Sequence, residues 1–150
     1  MPSHHVEKLL PYRPDQLFDM VGDVALYPEF VPWITALKAT APTLAAPGVE
    51  VLNAEAAVGF SFLKERFATT VRRDANLCQI DVGLIRGPFR KLANSWRFEA
   101  VDAGSKVVFD IDFEFKSRLL DAMLAANFDK AVDRLIRCFE DRARALYGRA

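Results

Sequence analysis

The chain has 150 residues, 20 basic against 20 acidic side chains, and is 51% hydrophobic and 27% charged. Zero net charge disfavours steering to nucleic acid by the overall field, and no DNA partner is expected. One domain spanning 1–150 follows, long enough to bury about 70% of its unfolded surface without metal or disulfide.

No apolar run reaches the roughly 18–20 residues of a membrane-crossing helix, and the opening MPSHHVEK is unlike a signal peptide. A cytoplasmic location is expected, with peripheral contact at the inner membrane as its extension. Cys78 and Cys138 stand far apart without a neighbouring His or Cys, so neither a zinc ribbon nor a redox pair is formed. Phe is unusually frequent at 12 residues, which implies either an aromatic core or an apolar cavity.

In chain order, His4 to Leu10 reads as a strand stopped by Pro11. Pro14 at the first helical position and Asp15 in the first turn predict a helix from Pro14 to Val24. Tyr27 to Trp33 is too Pro-rich for a long helix and reads as one helical turn and a bend. The period then changes to two. Strands are expected from Val49, from Phe60 to Arg73, from Cys78 to Ile85, from Phe89 to Val101 and from Lys106 to Lys116, joined by short turns into an antiparallel meander. Ser117 as N-cap and Gly148 as terminator predict one C-terminal helix of about thirty residues, some 45 Å long. Its apolar stripe is Leu120, Leu124, Phe128, Ala131, Leu135, Phe139 and Leu146. The fold class is therefore α+β: a curved antiparallel sheet wrapped around a long C-terminal helix, with two short helices after the first strand.

A curved sheet and a straight helix leave space between them, and alternation says which residues face it. The last strand offers Phe109 and Phe113, the one before it Asn94, Trp96 and Phe98. Ile80 and Leu84 follow, then Leu63, Glu65 and Phe67; the helix supplies Met123, Leu124, Phe128 and Leu135. These residues suit either a solid core or the wall of a site for an elongated apolar ligand. Glu65 and Asn94 are polar groups on that face, each able to hydrogen-bond a ligand head group. A bulge turning Glu65 outward, or pairing with Arg66 or Arg97, is the alternative.

Catalytic patterns are sparse. His4 and His5 are adjacent and point to opposite faces of a strand, so they form no chelate; no metal site and no cofactor are expected. No P-loop and no dinucleotide fingerprint occurs. On the final helix Lys130, Arg134, Arg137 and Arg144 form a basic face, suited to RNA phosphates or anionic lipid heads, or simply solvated. Asp133 with Arg137 and Glu140 with Arg144 are spaced as ion pairs.

Tyr27-Pro28-Glu29-Phe30-Val31-Pro32-Trp33, Val58-Gly59-Phe60 leading to Glu65-Arg66-Phe67-Ala68-Thr69, Gly87-Pro88-Phe89-Arg90-Lys91-Leu92 with Trp96-Arg97-Phe98, and Phe113-Glu114-Phe115-Lys116-Ser117-Arg118-Leu119-Leu120 together resemble the coenzyme Q-binding START-like family. That family is similar to the wider polyketide cyclase group and implies a helix-grip fold. It also implies two functions: binding of ubiquinone or a similar lipid in support of respiration, and, in bacterial members named ribosome-association toxins, binding of the large ribosomal subunit to block subunit joining. The start of the chain lacks a mitochondrial-type extension, so the bacterial pattern is expected. The resemblance carries no catalytic residue. The expectation is a non-enzymatic carrier of a hydrophobic small molecule, with Trp33 and Phe89 on the segments that gate access, contact with a membrane surface, and the ribosomal role as alternative.

Overall fold

The chain runs through β1 (Ser3–Leu10), α1 (Pro14–Gly22), a 3-10 helix (Val24–Glu29), β2 (Ile34–Ala39), β3 (Thr43–Ala46), β4 (Val49–Phe60), β5 (Leu63–Asp74), β6 (Gln79–Arg86), β7 (Phe89–Val101), β8 (Gly104–Phe115), α2 (Arg118–Ala125) and α3 (Phe128–Tyr147). The computed structural model describes residues 3–60, 63–126 and 128–148, without the side chains of Phe60, Leu63, Leu124 and Ala125. All strand pairings are antiparallel in the order β1-β8-β7-β6-β5-β4-β2, with β3 also on β4. The helices cover one face, called inner below; Trp96 meets Phe139 of α3 at 4.8 Å and Phe113 meets Phe128 at 4.8 Å between ring centroids.

Local chemistry sets the boundaries. The side chain of Gln16 accepts from the Arg13 backbone N–H at 3.0 Å, and Pro14 opens α1 behind it. The helix stops at Gly22, two residues earlier than the apolar pattern suggests, because Asp23 closes its last turn and a 3-10 helix follows. Arg73 of β5 donates to the Gly22 carbonyl at 2.9 Å, a cation at a helix C-terminus, and to Glu50 at 3.2 Å. Those bonds fix α1 over the sheet. At the β7–β8 turn, Gly104 has φ 147° and packs so closely that a Cβ would lie 2.2 Å from the Leu10 carbonyl oxygen.

The expected single C-terminal helix is two helices. Ser117 does cap the first, its hydroxyl accepting from the Leu120 N–H at 3.3 Å, but that helix ends at Ala125 and α3 begins at Phe128. The buried stripe of α3 is Phe128, Val132, Ile136, Phe139 and Ala143, whereas Ala131 and Leu146 are exposed. Restarting the helix at Phe128 resets the phase, and Ile136 takes a place that one continuous stripe had not given it. Glu140 pairs with Lys8 of β1 at 3.0 Å, and Arg144 with Asp141 at 3.2 Å, so the expected Glu140–Arg144 pair is not made: β1 passes close enough to compete.

Among the register shifts of the sheet, two bulges and one divergence lie near the β6–β7 turn. Phe89 pairs with Phe115 and Lys91 with Glu114, so an extra residue sits in β7 and turns Phe89 to the inner face. A second bulge sets Ala68 against Arg86 and Thr69 against Leu84. The β6–β7 pairing runs from Gln79↔Arg97 to Gly83↔Ala93; beyond it Leu84 to Arg86 follow β5 while Phe89 to Leu92 follow β8. The two strands part there.

Candidate functional site

The inner face has two halves. Under α1 and α3, Ile80, Trp96, Phe98 and Phe109 are buried against Leu17, Val21, Ile136 and Phe139, and Phe109 is 1% exposed. Trp96 contacts Phe109 at 4.7 Å and Phe139 at 4.8 Å, both tilted or edge-on. The void left beside them is about 20 Å³, lined by apolar side chains together with Lys8 and Glu140, room for about one water and no prenyl unit.

Toward the end where β5 starts and β6 stops, the same face is less covered. Phe67, Leu84, Phe89, Leu92, Trp33 and Leu135 are each half-buried. Phe89 connects this row to the core: its ring lies 5.4 Å from Phe67, stacks at 4.7 Å on Phe115, and stands 6.3 Å from Phe113. Gly87, with φ 152°, holds the turn over Phe67; a Cβ on it would fall 2.5 Å from the Phe67 Cβ. Of the residues proposed from the pattern, Phe113 and Phe128 bridge the two halves at 4.8 Å and are buried, and Met123 is 40% exposed on α2. The side chains of Leu63 and Leu124 lie outside the described residues.

The two polar candidates differ. Asn94 is spent inside the sheet, donating to the Asp110 carbonyl at 2.9 Å and accepting from Trp96 Nε1 at 3.1 Å, so both of its functional atoms already have partners. Glu65 keeps the inward register of Phe67, because the β4–β5 pairing runs unbroken from Val49↔Asp74 to Phe60↔Leu63 and no bulge turns it. It is half-buried and pairs with no arginine among the described residues.

The segment after α1 lies against α3. The Tyr27 hydroxyl donates to the Val21 carbonyl, its ring meets Phe139 at 5.3 Å, and burial pushes its phenol well above the usual tyrosine range. Arg142 sits 5.1 Å over Phe30 and 3.6 Å from Glu29, and Arg134 sits 5.7 Å over Trp33. Arg134 of the predicted basic face, and Arg142 two turns on, are thus engaged by this segment. Such contacts are absent from any one-strand or one-helix pattern.

Residues 10–140 match the family described as polyketide cyclase / dehydrase and lipid transport. The chain belongs to that family. It is 33% identical over 147 residues to a ribosome association toxin of Rickettsia prowazekii, covering 96% of this chain and 97% of the relative. A mitochondrial coenzyme Q-binding protein homologue of Xenopus laevis is 31% identical over 147 residues, covering 95% of this chain and 58% of that protein. An 18 kDa protein of Caulobacter crescentus, solved in solution, is 55% identical with a TM-score of 0.82 and 99% coverage of both chains.

Within this family member an open depression lies on the other side of the sheet. About 690 Å³ in volume, it crosses five strands over Ser3, His5, Thr70, Arg72, Asp81, Gly83, Ala93, Ser95, Asp110 and Asp112. Small and charged side chains floor it, which does not suit an apolar tail. Among the described residues no cluster of His, Cys, Asp and Glu could hold a metal ion, and no helix is long and apolar enough to cross a membrane.

Proposed function

We propose that this protein is a non-enzymatic carrier that holds the tail of a polyprenyl quinone, or a similar lipid, along the less covered half of the inner face. The observation that carries the reading is the half-buried row of Phe67, Leu84, Phe89, Leu92 and Trp33, apolar side chains facing the helices without full cover beside a half that is packed solid. The coenzyme Q-binding relative and the lipid-transport family support it. Apolar contact supplies the affinity, at about 0.8 kcal/mol per buried methylene, so a few isoprenoid units reach the micromolar range, about −8 kcal/mol, after association costs. The packed half sets the depth, so affinity is expected to level off after about two or three units. Glu65, on the inward register near this row, is the group that receives a polar head. The lid from Tyr27 to Trp33 and the turn from Gly87 to Phe89 gate access. Both histidines of β1 are held by carboxylates, His4 by Asp129 of α3 at 3.0 Å and His5 by Glu7 of β1 at 2.8 Å, and neither serves turnover.

Native mass spectrometry of protein purified from a quinone-producing host, followed by organic extraction, tests the reading. A bound quinone or other lipid that disappears in Phe67→Glu is the expected result; protein that is empty, and that also fails to bind a short-chain ubiquinone in solution, overturns it. The second reading is association with the large ribosomal subunit, favoured by near full-length likeness to the Rickettsia prowazekii toxin and by exposed Lys130 and Arg137 on α3. Co-sedimentation that weakens with salt and in Arg137→Glu is its signature.

A further inference from the structure

We infer that the end of the molecule carrying the β6–β7 turn and α2 docks on an anionic lipid surface, with Leu119 and Met123 as the inserted side chains. This rests on the carrier reading above, since it places the membrane at the mouth of the same groove. Leu119 is 71% exposed and Met123 40%, and four residues apart on α2 they share one helix face. Ile85, 44% exposed, projects at the neighbouring end of β6. Large apolar side chains scattered singly need no explanation, but these three gather at one end.

The surrounding charge identifies the partner. Lys116 precedes α2 and Arg118 opens it; both are exposed and pair with no carboxylate among the described residues. The β6–β7 turn lies beside them, because the Lys116 N–H donates to the Pro88 carbonyl at 2.8 Å. The chain as a whole has no net charge, so unpaired cations around projecting Leu and Met side chains are a local feature. Apolar residues ringed by Lys and Arg match an interface of acyl chains below anionic head groups. A ribosomal RNA surface would use the cations and leave Leu119 and Met123 without a role. The divergence of β6 from β7 beyond Gly83 and Ala93 opens at this same end, next to Phe89 and Leu84, which sets the groove facing the bilayer.

The test is co-sedimentation of the full chain with phosphatidylcholine vesicles, with and without an equal part of phosphatidylglycerol. Binding is expected only to the anionic vesicles and should weaken with added salt. Leu119→Asp and the pair Lys116→Glu with Arg118→Glu should each lower binding about fivefold or more. Circular dichroism melts should stay unchanged, since these side chains are exposed. Equal binding to both vesicle types, no binding at all, or binding indifferent to Leu119→Asp overturns the inference. So does a result in which the charge variants abolish co-sedimentation with large ribosomal subunits while vesicle binding is unaffected. Titration of a short-chain ubiquinone against tryptophan fluorescence in the same variants separates the two claims: vesicle binding lost with quinone binding kept leaves the carrier standing, and an empty groove on a protein that still binds vesicles leaves the docking surface standing.

Discussion

Phe109 and Phe67 lie on the same face of one sheet, both at inward positions of long strands, yet Phe109 is sealed under two helices and Phe67 is half-open. The strands supply the same alternation in both places; what differs is the cover. Over β6, β7 and β8 near Trp96, α1 is fastened by Arg73 and α3 by Lys8 with Glu140, and rings interlock from Phe98 through Trp96 to Phe139 and Phe30. Phe67 meets Phe89 at 5.4 Å between ring centroids, and Phe89 follows a turn held by a glycine with positive φ. One half of the face thus stabilises the fold, and the other, less covered, is the half proposed above to take the ligand.

Truncating both phenylalanines is the strongest way to break this contrast. Phe109→Ala removes a ring from the packed half and is expected to cost about 3–5 kcal/mol, whereas Phe67→Ala should cost about 1 kcal/mol or less because little cavity is created. Urea melts read the stability. Quinone titration should show the opposite ranking, with Phe67→Ala the more damaging. Equal stability losses would mean that the two halves are one core.

A smaller effect is expected from the turn. Gly87→Ala puts a Cβ where the Phe67 side chain begins and demands a positive φ from an L residue, so the turn must shift. About 1–2 kcal/mol of stability should be lost, with Phe89 displaced from Phe115. Near-ultraviolet circular dichroism of the aromatic cluster, compared with the same spectrum of Gly83→Ala, checks it, because a Cβ on Gly83 meets nothing within 4 Å.

Smaller again is the lid. Arg134 over Trp33 is a half-exposed cation–π contact worth about 0.5–1 kcal/mol. Arg134→Ala should therefore leave the melting transition nearly unchanged and raise the off-rate of a bound quinone, measured by stopped-flow tryptophan fluorescence. A variant with unaltered off-rate would separate the lid from the gate.

The strands from β4 to β8, the turn before Gly104 and the cap at Ser117 were legible because each follows from contiguous residues: a period of two, a glycine, a hydroxyl before a helix. The inward positions of Phe109, Trp96 and Ile80 follow from the same period. What was not legible depended on partners distant in the chain. The break that separates α2 from α3 interrupts an apolar pattern that itself continues. Phe89 faces inward through a bulge that counting by twos cannot register. Asn94 reads as a free polar group until Asp110 and Trp96 are beside it, and Arg134 reads as part of a solvated basic face until Trp33 lies under it. Nor does alternation tell a covered position from an open one, which is the distinction that separates the two halves.

The least effect is expected at the edge of the packed half, where β1 is paired to β8 on one side only. His5 lies between Glu7 at 2.8 Å and Asp110 on the exposed face, and the hydrogen bonds its ring donates, first to Glu7 and then to Asp110, raise its imidazole above the ordinary value of 6.5. Lys106 joins at 3.1 Å from Glu7, whose own carboxyl is held low by the His5 and Lys106 bonds. A histidine whose pKa is higher folded than unfolded binds its proton more tightly in the folded state. Its contribution is fully present below pH 6.5 and is lost as pH rises through the folded value. The group is solvent-exposed, so screening keeps the effect small and local. Hydrogen exchange of the β1 amides should therefore accelerate, beyond the intrinsic change, as pH is raised from about 6 to 8, and His5→Gln should remove that excess. The amides of β7, paired on both sides, should not respond; a matching response there would place the titration in the core instead of at the edge strand.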